Sequence, residues 1–155
     1  MLDVISGYQI SIDKFIGDGI LAYVEPEATD KSEANTENQL AVEASLAMIK
    51  RLDELNLKLI KMQLPAVKIG IGIYRGPLVI GLIGSETKLQ HTIIGDTVNK
   101  TSRLEGLCKE LGVQMVISQQ VWQSLTSGKK ELFRSCEKQT VKGIIEPMDV
   151  FGGPI

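Results

Sequence analysis

Cysteine, histidine and aromatic residues are scarce in this chain. Only Cys108 and Cys136 occur among its 155 residues, with neither CxxC spacing nor a histidine ladder. That argues against a structural zinc site and makes reduced cytosolic thiols the expectation. His91 is the single histidine. No Ser, Cys or paired carboxylate stands beside it, so it reads as a polar loop residue rather than a base. Three Phe, three Tyr and one Trp give few platforms for stacking single-stranded bases. A net charge of −2 leaves no footprint for DNA or RNA. No run approaches the roughly 18 apolar residues of a membrane span. Met1-Leu-Asp-Val-Ile lacks the basic-then-apolar order of a signal peptide. The expectation is a cytoplasmic domain with no nucleic-acid partner and no membrane segment.

What is present suits one domain over residues 1–155 with a real core, since 43% of the residues are hydrophobic. Tyr8 to Phe15 alternates apolar and polar residues and predicts a strand. Gly17-Asp-Gly19 predicts a tight turn, and Ile20 to Val24 the return strand. Glu25 to Asn38 is acidic and aperiodic and predicts a surface loop. Leu40, Ala44, Ala47, Leu52, Leu55, Leu59 and Met62 recur near a 3.6 spacing, predicting a helix from Leu40 to Met62 that Leu64-Pro65 ends. Val67 to Tyr74 and Leu78 to Gly84 read as a hairpin joined by Arg75-Gly76-Pro77. Gln90 to Ile94 is a short extended piece. Asp96 or Thr97 then caps a helix to about Glu110, closed by Gly112. Val113 to Ile117 predicts a strand and Ser118 the cap of a short helix with Trp122 and Leu125. Glu131 to Val141 and Pro147 to Phe151 predict a last strand pair around Lys142-Gly143. This order indicates an α+β layer, a mixed and largely antiparallel sheet with helices on one face.

Two glycine patterns mislead. Gly17-Asp-Gly-Ile-Leu-Ala22 matches a dinucleotide fingerprint on paper, but a strand follows it where the fingerprint needs a helix. Gly76 to Gly81 has the glycine spacing of a phosphate loop without its Lys-Ser/Thr.

The residues that carry chemistry lie in two segments. In Lys14-Phe-Ile-Gly-Asp-Gly19, Asp18 stands at a turn apex, a suitable place for a carboxylate ligand of Mg²⁺. Even spacing assigns Lys14 to the face of Ile10, Ile12 and Ile16, which should line the core or a crevice. In Ile94-Gly-Asp-Thr-Val-Asn-Lys-Thr-Ser-Arg-Leu-Glu105, Asn99 and Arg103 share one face near a helix N-terminus, an end that favours anions. An Arg fork adds bidentate contact to phosphate oxygens. Thr92 lies just ahead of that helix, and Lys142 on a distant turn. The bland alternatives are a plain Gly-Asp-Gly turn, a snorkelling lysine, and an Arg103 paired with Glu105 or Glu110.

These segments resemble the class III nucleotidyl cyclases. Lys14-Phe-Ile-Gly-Asp-Gly-Ile-Leu-Ala22 is similar to the family's second metal-aspartate strand pair. Gly70-Ile-Gly-Ile-Tyr-Arg-Gly76 with Gly81-Leu-Ile-Gly-Ser85 resembles its central hairpin, Thr92 to Glu105 its signature helix, and Val141-Lys-Gly143 with Glu146-Pro147 its last turn. The likeness runs from about residue 8 to residue 151. It implies a ferredoxin-like, palm-type fold and conversion of a nucleoside triphosphate to a 3′,5′-cyclic monophosphate and pyrophosphate. Two Mg²⁺ or Mn²⁺ ions would be held by two aspartates, of which Asp18 matches the second. Lys14 and Thr92 match the base-reading pair in its adenine-selective form, since guanylyl cyclases usually carry Glu at the lysine position. Asn99 matches the ribose-orienting residue, Arg103 the residue stabilising the α-phosphate in the transition state, and Lys142 a lysine on the terminal phosphates. ATP is the implied substrate and a head-to-tail homodimer the implied assembly, with each site shared between subunits.

The resemblance stops short at one place. The family's first metal aspartate lies on a strand a few dozen residues before the Lys14 match, and Asp3 does not stand in for it. The domain is therefore expected to be incomplete at its N-terminus and inactive as these 155 residues. Either it is a piece of a longer cyclase domain, or a swapped or rearranged partner completes its sheet. The competing reading is a non-catalytic cyclase-like module that binds nucleotide and dimerises for regulation. A guanylyl cyclase is a lesser alternative.

Overall fold

The structure, a computed structural model, describes residues 1–25, 34–85, 87–139 and 148–154, without the side chains of 34, 35, 88 and 137–139. A short helix α1 (Leu2–Ser6) leads into β1 (Ser11–Ile16) and β2 (Gly19–Tyr23), followed by α2 (Ala34–Lys61). Next come β3 (Ile71–Ile73), β4 (Val79–Ser85), β5 (Lys88–Ile94) and α3 (Asp96–Leu111). The chain finishes with β6 (Met115–Ser118), α4 (Gln119–Gln123), α5 (Ser127–Lys130), β7 (Arg134–Gln139) and β8 (Met148–Gly153). The α+β class read from the sequence is the observed one.

Strand pairing divides into a four-stranded sheet, order β3-β6-β8-β7, and two antiparallel hairpins, β1-β2 and β4-β5. Among the described strands only β3 and β6 run parallel. The helices lie on both faces of the large sheet rather than one. Alternate residues of β6 point to opposite sides. Met115 and Ile117 join Val42 and Ile49 of α2 with Val121 of α4. Val116 joins Leu104, Leu107 and Cys108 of α3. Met115, Val116 and Ile117 are each 0% exposed. A strand covered on both faces needs a continuous apolar run, which Met-Val-Ile is.

Three further readings need correction. The segments around β3 and β4 do not pair as a hairpin. β3 goes to β6, β4 goes to β5, and Arg75-Gly76-Pro77 is a crossing that the Thr97 hydroxyl pins by donating to the Pro77 carbonyl at 2.6 Å. The first of them is also shorter than expected, because the Asn56 amide holds the Val67 backbone through both its N–H and its C=O, at 2.8 and 2.9 Å. Finally, α2 begins at Ala34, so residues 34–38 of the expected loop are helical. Asn38 explains part of this, since its amide donates to Ser124 Oγ and ties the first turns of α2 to α4.

Gly72 sets the position of α3. A Cβ there would stand 2.4 Å from the Thr101 carbonyl oxygen and 2.5 Å from the Glu105 nitrogen. Only glycine lets the helix backbone lie directly on β3.

Candidate active site

The base-reading pair expected from the sequence comes together, and the reason is a bulge. Ile12 pairs with Ala22 and Lys14 with Leu21, so Asp13 is an extra residue in β1. A bulge re-aims the side chains beside it. The even-spacing argument for Lys14 therefore fails beyond residue 12, and Ile16, expected to face inward, is exposed. Asp13 turns inward, with its side chain 1% exposed. It accepts from the Ile93 N–H at 3.1 Å and from the Thr92 hydroxyl at 3.0 Å. The Lys14 ammonium stands 3.3 Å from the same Oδ2. Lys14 and Thr92 thus meet on one carboxylate oxygen. Asp13 is the residue that sequence reading missed. Strict alternation turns it away from Lys14, and the signal that could have found it is the pair of consecutive polar residues, Asp13-Lys14, that breaks the alternation.

Asp18 occupies the turn between β1 and β2. Gly17 beside it takes φ 62, the left-handed region that glycine enters without strain. Asp18 is exposed, so its carboxylate suits one ligand position of a hard divalent cation. Among the described residues no group of three or more His, Cys, Asp or Glu is arranged to hold a metal ion. Asp13 adds none, because its oxygens are engaged by Thr92, Ile93 and Lys14. The described residues fit one carboxylate of a two-ion site, not the whole.

β5 feeds α3 through Gly95, which is the N-cap; neither Asp96 nor Thr97 caps the helix as expected. Thr97 uses its hydroxyl on Pro77, while Asp96 pairs with Lys100 at 2.7 Å. The Asp96 hydrogen bond raises the Lys100 pKa and keeps its ammonium charged. That ammonium also sits 5.5 Å from the centroid of the Tyr74 ring. Ser118 precedes α4 as expected but makes no side-chain cap bond. The far end of α3 closes as the sequence suggests, with Gly112 left-handed.

Asn99 is exposed and Arg103 half-buried on the first turns of α3. Neither has a hydrogen-bond or ion-pair partner among the described residues, so Arg103 is not taken up by Glu105 or Glu110. An unengaged guanidinium and amide one helical turn apart, at a helix N-terminus, present donors to an anion. No hydrogen bond or ion pair joins Asp18 to Lys14, Thr92, Asn99 or Arg103 among the described residues. Lys142 lies outside the described residues.

The other candidates stay inert. His91 is exposed on β5. Cys108 is buried, its thiol pushed up to about 11 by that burial, and its Sγ contacts the Ile71 carbonyl at 3.5 Å. A thiol so suppressed is no nucleophile at neutral pH.

Comparison with known proteins follows the same lines. The family model for the adenylate and guanylate cyclase catalytic domain matches residues 3–151. An adenylate cyclase of Anabaena cylindrica is 34% identical over 145 residues, covering 90% of this chain and 27% of the relative. The chain thus spans about a quarter of the length of that curated relative. The crystal structure of the adenylyl cyclase CyaB from P. aeruginosa superposes with TM-score 0.81 at 25% identity, covering 98% of this chain and 75% of that one. The guanylyl cyclase Cya2 superposes with TM-score 0.74 at 27% identity, covering 98% and 73%.

Proposed function

The chain belongs to the adenylate and guanylate cyclase catalytic-domain family, and from that premise we propose that it is the catalytic part of an adenylyl cyclase. The reaction converts ATP to 3′,5′-cyclic AMP and pyrophosphate. The ribose 3′-hydroxyl gives its proton to water as its oxygen attacks the α-phosphorus, and the bond from that phosphorus to the bridging oxygen breaks, releasing pyrophosphate.

The observation that carries the adenine assignment is the meeting of Lys14 and Thr92 on Asp13. An ammonium donates to the adenine N1 acceptor, and a hydroxyl oxygen accepts from the 6-amino group. Fold alone does not decide the base, because both adenylyl and guanylyl cyclases superpose on the chain. Asn99 orients the ribose. Arg103 binds charge that grows on the α-phosphate as the new bond forms, the kind of preorganised stabilisation that lowers a barrier most. Lys142 takes the terminal phosphates.

Asp18 supplies one carboxylate to divalent ions, Mg²⁺ or Mn²⁺. When bound, such ions neutralise the attacking oxygen and the leaving pyrophosphate. A second carboxylate has to come from outside the described residues. A groove of about 550 Å³ between β2, α2, β3 and β4 supports where it enters. Apolar side chains such as Ile20, Ala22, Met48, Ile71 and Ile80 line it, and β3 is an edge of its sheet. A further strand fits there and pairs an otherwise open edge. It comes from the parent chain or, in a swapped arrangement, from a partner.

The assembly is a homodimer, head-to-tail in this reading; that the chain has a partner is supported by the β4-β5 hairpin, whose Val79, Leu82 and Leu89 are 65%, 67% and 58% exposed. A two-stranded hairpin with bare apolar residues is marginal in water until something covers it. Among the described residues no helix is long and apolar enough to cross a membrane, which is compatible with a cytoplasmic site of action. That Asp18 is the one carboxylate among the described residues matched to the cation site favours one second reading, a module that binds ATP and dimerises without turnover.

The test is cyclic AMP formation from Mn²⁺-ATP by the domain carrying the extra strand. A Lys14→Glu variant is expected to lose most of its ATP use. Unchanged ATP kinetics in that variant contradict the base-reading role, and binding without cyclic AMP favours the second reading.

A further inference from the structure

Asp13 does more than hold two strands together. Its carboxylate can only accept hydrogen bonds, and it is shut away from water. Oδ1 takes the Ile93 N–H, and Oδ2 takes the Thr92 hydroxyl. A threonine has one hydroxyl proton, and here Asp13 has it. The Thr92 oxygen is left with lone pairs alone toward any nucleobase. The same Oδ2 draws the Lys14 ammonium to 3.3 Å, leaving its remaining protons to donate elsewhere.

We propose that Asp13 is a positioning residue that sets the purine selectivity of this site by fixing Thr92 as an acceptor and Lys14 as a donor. This rests on the reading of Lys14 and Thr92 as the base-reading pair. The pattern accepts from a 6-amino group and donates to an unprotonated N1, which describes adenine. A 6-oxo purine with a protonated N1 meets an acceptor against its carbonyl oxygen and a donor against its N1 proton. A free threonine hydroxyl would rotate and serve either base; one whose proton is committed to Asp13 serves only one. The bulge is what allows this, because a regular strand would turn Asp13 and Lys14 to opposite faces.

Asp13→Asn separates this role from a structural one. The amide keeps the shape, and its oxygen keeps the Ile93 N–H. Its NH₂ then faces Thr92, whose oxygen accepts from it and whose proton turns outward. The ratio of ATP to GTP affinity, read by competitive titration with Mn²⁺, is expected to fall roughly ten- to a hundredfold. In a turning-over enzyme the ratio of the two kcat/KM values falls with it. Thr92→Ser, which keeps the hydroxyl, should hold the wild-type ratio. If Asp13→Asn fails to fold, Asp13→Ser gives the second measurement, since it frees the Thr92 hydroxyl to rotate. Equal losses for ATP and GTP, with the ratio unmoved, overturn the proposal and leave Asp13 a fold residue. Binding without cyclic AMP in the domain carrying the extra strand overturns the enzyme reading only, and the ratio still decides the role of Asp13. Failure to bind either nucleotide overturns both.

Discussion

The four-stranded sheet and the two hairpins beside it deal with their apolar residues in opposite ways. β6 is covered on both faces, by α2 and α4 on one side and α3 on the other. β4 and β5 leave Val79, Leu82 and Leu89 open to water. Stability of the isolated chain therefore resides in the sheet and its helices. The proposed chemistry sits elsewhere, on the β1-β2 hairpin, the end of β5 and the start of α3. That division leaves Asp18 and Asn99 exposed and Arg103 without a partner among the described residues, while Lys14 and Thr92 are held by Asp13, all without weakening the core.

The sharpest way to break the comparison is to cut into each region with the same chemistry. Leu104→Ala, at a 0% exposed position, should cost about 2–5 kcal/mol in denaturant unfolding. Leu82→Ala should stay within about 0.5 kcal/mol for the monomer, while weakening self-association in sedimentation. Equal losses of monomer stability would show that the hairpin belongs to the core. Arg103→Ala should lower kcat by about 10²–10³ in the active dimer with the thermal midpoint unchanged; a large drop in midpoint would recast Arg103 as structural. Gly72→Ala forces a Cβ into the α3 backbone and should cost about 1–3 kcal/mol, measured by thermal unfolding. It should also lower kcat by shifting Asn99 and Arg103 together.

The smallest effects concern titration. Cys108 is protonated in the folded protein up to about 11 against its ordinary 9.0. An unfolded thiol loses its proton first, so the stability of the folded state falls as pH rises from about 9 to about 11. Native Cys108 should also resist iodoacetamide at pH 8 and react once denaturant is added. Rapid native labelling would contradict its burial.

Much of this was legible in the sequence because it is local. The Gly17-Asp18 turn and the helix after Gly95, expected to about Glu110 and observed to Leu111 with Gly112 at its end, depend on neighbours in the chain, and so does the placing of the candidate residues Thr92, Asn99 and Arg103 at the end of β5 and on the first turns of α3. Pairing between distant segments was not legible. β3 and β4 are both short apolar strands flanking a Gly-Pro turn, and nothing local says that one joins β6 while the other joins β5. The helices on both faces of the sheet follow from that pairing. The bulge at Asp13 was hidden for a different reason. Its one trace in the sequence is the break in alternation at Asp13-Lys14, two polar residues in succession; reading the segment as strictly period-2 passes over that break and gives Lys14 a face that the backbone does not keep.

The measurement that bears most directly on the account is cyclase activity with Mn²⁺-ATP and Mn²⁺-GTP, on two proteins side by side. One is these 155 residues; the other is the same domain extended upstream to include a strand with a second carboxylate. The account predicts cyclic AMP from the extended protein alone, with ATP preferred over GTP. Silence in both, or full activity in the shorter chain, would contradict it.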